Sequence, residues 1–443
     1  MKKIRILTFI DSLDNYGQVL QGYALQRFLR DNYPQFDVQV FYETPFISPP
    51  QSPAKPAKKG FGKQIYEKLK AAEKVVRTYF HAYIMRREKY ITRLKEQVLQ
   101  RQKECERREF EAEIDEKAAL VAKWNEARDF AGFKRAHIAL NCDELRAFEG
   151  YKDEFAADCY IVGSDQVWND WGSLKIEHFY GGWHWLNLYT LNFLPKESKA
   201  RKISYAASLG KREFGSDFEK WYFKDALSKF DAISVRESCN TKTLAELGLS
   251  SVCVPDPTQL LSKNDYEKLI NSANINELSG GKVRKDSVFV YMLGNETAIN
   301  KDEAMGFLCD KFGEKGVIYV NANMWAFGCA SDFECDFAPT PQEWLACVKD
   351  AKLVVTNSFH GCAFCVLMNT PFVALKLGGG ASPMNTRFEQ LFELFGLQNR
   401  LVSNLDELKA VMNEPIAWDK INAKLNEWRT VGVNFLAENL GNL

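Results

Sequence analysis

Ala351-Lys-Leu-Val-Val-Thr-Asn-Ser-Phe-His-Gly361 reads as a strand that runs into a small polar turn. Leu353 to Thr356 form the strand, and the apolar stretch Cys362 to Leu367 reads as the helix that follows. A strand passing directly into a helix is the unit of an open α/β sheet, where ligands bind outside the carboxyl ends of the strands. The helix N-terminus there presents free N–H groups and a positive dipole end to an anion. His360 is therefore expected over an anion site with its imidazole turned toward chemistry. The alternative is a histidine satisfied inside the core.

Working outward, strand and helix signals alternate along the chain. Strands are expected at Ile4–Ile10, Val38–Tyr42, Asp158–Val162, Lys202–Ser208, Ala232–Val235 and Val252–Val254. Helices are expected at Gly17–Asn32, with Leu20, Tyr23, Ala24 and Phe28 at helical spacing, and at Asn240–Leu247. A second set of strands follows at Ser287–Leu293, Gly316–Val320, Lys352–Thr356 and Pro371–Leu375, with a helical tail from Leu405. Strands separated by helices imply parallel sheets. Pro255-Asp-Pro257 is a rigid break, so the expected domains are residues 1–255 and 256–443. Each is a Rossmann-like α/β unit, and their strand ends face a shared cleft.

Bulk composition agrees. A chain of 443 residues is too long for one core of ordinary size. With 46% apolar and 26% charged residues it has a globular composition. Its 58 Lys+Arg balance 58 Asp+Glu, so no basic excess points to nucleic acid. The apolar run before Asp11 suits a first strand rather than a signal peptide, and no run is long enough to span a membrane. The expectation is a cytoplasmic protein whose 11 cysteines are reduced. Cys362 and Cys365 form a CxxC, read as two small residues on a buried helix because no second pair stands at zinc spacing.

One stretch departs from this pattern. Pro45 to Gly62 holds five prolines and reads as a loop. From 64 to about 130, Ile65, Leu69, Ala72, Val76, Tyr79 and Tyr83 recur at helical steps. Lys55 to Arg108 carries 17 Lys/Arg against 6 Asp/Glu. This helical insertion, about 60–130, is either a solvated face or one that leans on an anionic membrane surface or a diphosphate-bearing acceptor.

Candidate site residues lie at strand ends. In the first half they are Asn15, Tyr16 and Gly17, then Ser164, Asp165 and Gln166, then Arg236 beside Glu237. In the second they are Ser358, His360 and Arg387. Simpler readings exist: Arg236 pairs with Glu237 or caps a helix, Asp165 is a helix N-cap, and Asn15 is a turn residue. Gly17 suits close approach of backbone to a ligand. Trp168, Trp171, Trp183 and Trp185 suit either a sugar ring or the core. The sequence has no metal-binding histidine or acidic motif, no P-loop and no GxGxxG. Ser164 lies outside any GxSxG, which leaves a hydrolase triad unsupported.

Five motifs occur in order: Asn15-Tyr-Gly-x-x-Leu-Gln-x-Tyr-Ala-Leu25, Asp158-x-Tyr-Ile-Val-Gly-Ser-Asp-Gln-Val-Trp-Asn169, Ser234-Val-Arg-Glu237, Pro255-Asp-Pro257 and Thr356-Asn-Ser-Phe-His-Gly361. Together they resemble the polysaccharide pyruvyl transferase family over about residues 4–42 and 135–400. The resemblance implies a two-domain GT-B-like fold. It also implies transfer of the enolpyruvyl unit of phosphoenolpyruvate onto two hydroxyls of a sugar, giving a pyruvate ketal and phosphate. Arg236 and His360 would contact the donor. The donor is a substrate, and no separate cofactor or metal is implied. Asn357 stands where the family often has Asp, which removes a carboxylate from that position.

The chemistry suits the residues. A carboxylate and a phosphate call for arginine and helix N-termini, and a histidine moves protons near neutral pH. In this reading His360 moves a proton or binds the departing phosphate, Arg236 clamps the donor, Arg387 assists, and Asp165 accepts a proton from the sugar. The partners expected are phosphoenolpyruvate and a saccharide acceptor, free or lipid-diphosphate-linked, with peripheral contact at the inner membrane face through the basic insertion. Two rivals remain: a nucleotide-sugar glycosyltransferase of the same architecture, and a non-catalytic component of a capsule-assembly complex.

Overall fold

The computed structural model describes residues 1–44, 119, 121–176, 184–273, 275, 281–294, 297–322 and 338–443. The loop expected from Pro45, nearly all of the basic helical block and Trp183 lie outside the described residues.

The strands are β1 (Lys2–Leu7), β2 (Phe36–Val40), β3 (Glu43–Thr44), β4 (Arg146–Ala147), β5 (Cys159–Val162), β6 (Arg201–Ser204), β7 (Ser234–Val235), β8 (Val252–Cys253), β9 (Val288–Leu293), β10 (Val317–Ala322), β11 (Leu353–Thr356), β12 (Phe372–Leu375) and β13 (Leu401–Val402). Nine of them form a parallel sheet in the order β2-β1-β5-β6 and a second in the order β10-β9-β11-β12-β13, while β3 pairs with β4 and β7 with β8. The helices that position the site are α1 (Tyr16–Asn32), α2 (Phe130–His137), α3 (Ser238–Ala245), α4 (Pro341–Asp350), α5 (Phe359–Met368), α6 (Thr386–Phe395) and α7 (Trp418–Leu440). The expected class therefore holds, with two parallel-sheet α/β halves whose carboxyl strand ends face each other in a GT-B-like arrangement.

Sheets covered on both faces need strands that are apolar on both sides. β5 and β11 are buried at every position. Phe289 and Tyr291 of β9 enter one core cluster, while Val288, Val290 and Met292 enter another on the opposite face. The first of these clusters is continuous across both halves. Within it the Tyr16 ring stacks on Trp344 of α4, 5.4 Å between centroids and 9° apart, and the Tyr16 hydroxyl donates to Pro339 O at 2.6 Å. The tail helix α7 packs back on the Pro-Asp-Pro turn, the residues after it and Tyr205 of the first half. Gly432 lies against Tyr205, Pro255 and Leu260, where a β-carbon would collide with the first two and crowd the third. Arg429 donates to the carbonyls of Gln259 (2.8 Å) and Leu261 (3.2 Å).

Some expectations shift. β1 stops at Leu7 and β6 at Ser204. Beyond β6 only Ala207 continues the pairing, through isolated bridges to Asp165 and Val235. The two-residue edge strand β13 carried no periodicity to read. After Gly163 the chain makes turns, so Asp165 caps no helix, and its φ of 69° lies in the left-handed region. Cys362 and Cys365 are buried on α5 as read, and burial pushes both thiols up. Among the described residues no helix is long and apolar enough to cross a membrane.

Candidate active site

Each sheet reverses its strand order once, between β1 and β5 and between β9 and β11. Such switch points open a crevice at the carboxyl ends of the strands. The turns after β1, β5 and β11 converge there, and a residue outside the expected set ties the last two to the end of β7.

That residue is Asp256, buried in the Pro255-Asp-Pro257 turn. Its Oδ1 accepts from Thr258 N (3.0 Å) and Oγ1 (2.7 Å). Its Oδ2 accepts from Ser164 Oγ (3.0 Å) and Arg236 Nη1 (3.1 Å) and lies 3.4 Å from His360 Nε2. Burial alone would raise the carboxyl's pKa. His360, Arg236 and the Thr258 N–H outweigh it and hold the group well below the usual range. Asp256 thus ties the turn after β5, the end of β7 and the start of α5 to one point.

Arg236 is buried at the end of β7. Its Nε donates to Glu237 Oε1 (3.1 Å), Nη2 lies 3.9 Å from Asp165 Oδ1, and the guanidinium sits 4.7 Å above the Phe359 ring. Burial opposes its charge, but Glu237, Asp256 and Asp165 drive its pKa upward. Nη2 and His360 Nε2 are buried polar atoms without a hydrogen-bond partner. Arg387, at the start of α6, reaches Met384 O (3.4 Å) and Sδ (3.5 Å). Burial and the neighbouring Arg236 lower its pKa to about 10. Arg236 and Arg387 line one cavity with Asp256, Gln259 and Phe359. Helix α6 is latched to the first half: Gln390 Nε2 donates to Arg236 O (3.0 Å), and Arg212 pairs with Glu389 (2.6 Å).

His360 rests on the first turn of α1. A β-carbon on Gly17 would overlap the imidazole from Nδ1 to Cβ. Gly17 therefore serves close approach to His360 itself, not to a ligand as the sequence suggested. The N-termini of α1 and α5 meet here, each capped by a side chain: Asn15 accepts from Gln18 N (3.2 Å) and Ser358 from Gly361 N (3.2 Å). Two positive helix ends thus face the same point. The loop before α1 is pinned by buried Lys134, whose Nζ donates to Ile10 O (3.1 Å) and whose pKa burial lowers to about 8. Gly17→Ala is expected to cost about 1–3 kcal/mol through overpacking and to displace the His360 ring. Denaturant unfolding and the histidine Cε1–H NMR signal would read both effects, and no change in either would show that the ring has room to move.

Of the residues expected in the site, His360, Arg236, Ser164 and Asp165 gather around Asp256, and Arg387 joins them across the cavity. Gln166 links to the same group, accepting from Asn169 Nδ2 (2.7 Å) and approaching Met384 Sδ (3.7 Å). Tyr16 does not belong. Its ring and hydroxyl are buried in the core between the halves, because the second half covers the face that the sequence left open. Asn15 and Ser358 act through their caps. Arg236 does pair with Glu237, but as one of several bonds. Asn357 uses its amide to bridge Leu293 N (2.6 Å) and O (3.1 Å), which a carboxylate lacking an N–H could not do. The signal for Asp256 was present in the sequence as an acid between two prolines beside an apolar run.

Fold and site together define a two-lobed α/β protein with a buried charge cluster at the facing switch points of its sheets. A family model described as polysaccharide pyruvyl transferase matches residues 15–377, and the chain belongs to that family, a family of transferases. No curated protein matches it. Among solved structures, similarity is found to a UDP-bound MnaA of S. aureus (12% identity, 100% of this chain and 98% of that one, TM-score 0.44). It is found also to a UDP-GlcNAc 2-epimerase of Methanocaldococcus jannaschii (12%, 98% and 99%, 0.46) and to the glycotransferase of kitacinnamycin (11%, 99% and 99%, 0.43).

Proposed function

We propose that this chain transfers the enolpyruvyl group of phosphoenolpyruvate to two hydroxyls of a sugar in a surface polysaccharide precursor, forming a pyruvate ketal. The observation that carries the reading is the Arg236–Asp256–His360 cluster: His360 sits where two helix N-termini meet, and the buried Arg236 Nη2 and His360 Nε2 make ion-pair contacts but no hydrogen bond. A donor with both a carboxylate and a phosphate needs more than one fixed cation, and Arg236 and Arg387 line one cavity.

In this mechanism Arg236 and Arg387 hold the donor's anionic groups. His360 gives a proton to the methylene carbon, which makes C2 electrophilic. Asp165 takes the proton of the first sugar hydroxyl as its oxygen bonds to C2. Phosphate then leaves with the bridging C–O electron pair, and a second hydroxyl closes the ketal as its proton passes to phosphate. Asp256 touches neither substrate and positions the histidine and arginine. The acceptor is a saccharide, free or lipid-linked.

Calorimetric titration with phosphoenolpyruvate tests the donor. Saturable binding to the wild type is expected, weakened at least about tenfold in folded Arg236→Ala and His360→Ala, as loss of a charge-assisted contact predicts. Binding of a nucleotide sugar in its place would replace this reading with a glycosyltransferase.

A further inference from the structure

The aromatic residues of the turn after β5 divide sharply. Trp168 is buried, and its indole N–H donates to Tyr189 O at 2.9 Å. Trp171, three residues on, is 52% exposed. It is not a lone exposed side chain but the outer member of an aromatic group on the turn that carries Asp165.

The surroundings hold Trp171 in that position. Its ring stacks on Phe9 (6.2 Å between centroids, 21°) and leans on Trp185 (5.2 Å, 33°). Phe9 is itself wedged edge-on against Tyr189 (5.0 Å, 87°). Trp171 has a φ of 48° and Gly172 follows at 69°, so two consecutive residues occupy the left-handed region. For a tryptophan that conformation is unfavourable and persists only where the surroundings impose it. They do so through hydrogen bonds: Trp171 N–H donates to Asn169 Oδ1 (3.0 Å), and the preceding Asp170 is tied to Lys211 (2.6 Å). Asn169 Nδ2 in turn donates to Gln166 Oε1 (2.7 Å), one residue from Asp165. The shelf and the proposed proton acceptor therefore belong to one braced turn.

We propose that Trp171, backed by Phe9 and Trp185, is the platform on which a pyranose ring of the acceptor saccharide stacks, placing its hydroxyls toward Asp165. The proposal rests on the transferase reading above. A pyranose presents a face of C–H bonds, slightly positive and apolar, which complements the negative face of an indole. The flat, partly exposed ring, stiffened from behind, loses little freedom on binding.

The test titrates wild type, Trp171→Ala and Trp171→Phe with methyl β-D-galactopyranoside, methyl β-D-glucopyranoside and methyl α-D-mannopyranoside by saturation-transfer NMR, with phosphoenolpyruvate calorimetry on the same samples. At least one pyranoside is expected to bind the wild type, about tenfold more weakly to Trp171→Ala, and near wild-type strength to Trp171→Phe, as a stacking contribution requires. Phosphoenolpyruvate affinity should be equal in all three. Equal pyranoside binding to wild type and Trp171→Ala, or none to the wild type, overturns the platform. So does a change of oligomeric state in Trp171→Ala, which would assign the shelf to a second copy of the chain. Loss of phosphoenolpyruvate binding by the wild type instead marks failure of the donor reading.

Discussion

Asp256→Asn is expected to abolish measurable transfer and to destabilise the protein by about 3–5 kcal/mol, the cost of removing one partner from a buried ionic network. The carboxylate takes Ser164, Arg236 and Thr258 as hydrogen-bond donors and faces His360. An amide in its place keeps one acceptor oxygen for Thr258. It turns an N–H₂ toward Arg236 and Ser164, which are also donors, and leaves the guanidinium with Glu237 as its one remaining hydrogen-bonded acid. The pH dependence has a fixed sign. Asp256 has a depressed pKa in the folded protein. Its stabilising share is therefore complete above the ordinary carboxylate pKa, about 4, and is lost as pH falls below it. The gap between wild type and Asp256→Asn in denaturant unfolding should be full at neutral pH and narrow in acid. A variant as stable as the wild type at pH 7, and still active, would remove Asp256 from the centre of the site.

His360→Ala should lower turnover by about 10²–10⁴-fold, the range for loss of a positioned general acid. The chain should still fold, at a cost from the lost ion pair with Asp256, since the backbone position of His360 in α5 suits alanine. Single-turnover measurements with donor saturating separate this effect from weaker donor binding. Near-normal turnover in the folded variant would exclude proton transfer by His360. Paired with Gly17→Ala, the two variants separate loss of the ring from loss of its position.

The fold was legible because parallel strands buried on both faces leave long apolar runs, as β5, β9 and β11 do. The turn after β11 was equally open to reading, since strand, cap and helix follow within a few residues. What failed were features made by contact between distant segments. Tyr16 opens α1 rather than closing β1, and its ring faces Trp344, a partner that no local spacing announces. Gly17 looked like an accommodation to a ligand, and the occupant is a histidine from the other half. Asp256 was hidden by its prolines. They mark a break in the chain and, by the same rigidity, aim the carboxylate at four groups. Asp165 was placed in the site, but its backbone conformation follows from tertiary bridging to Ala207 rather than from local propensity.

The seam at Pro255-Asp-Pro257 bears on how such chains can be recombined. A crossover there looks clean, since it falls between two sheets. Yet it would part Gly17 from the His360 ring that fills its missing side chain, Arg236 from Asp256, and Tyr205 from the α7 groove at Gly432. Halves taken from two relatives would carry mismatched surfaces to every one of these junctions, so the heritable unit is the whole two-sheet body rather than either lobe.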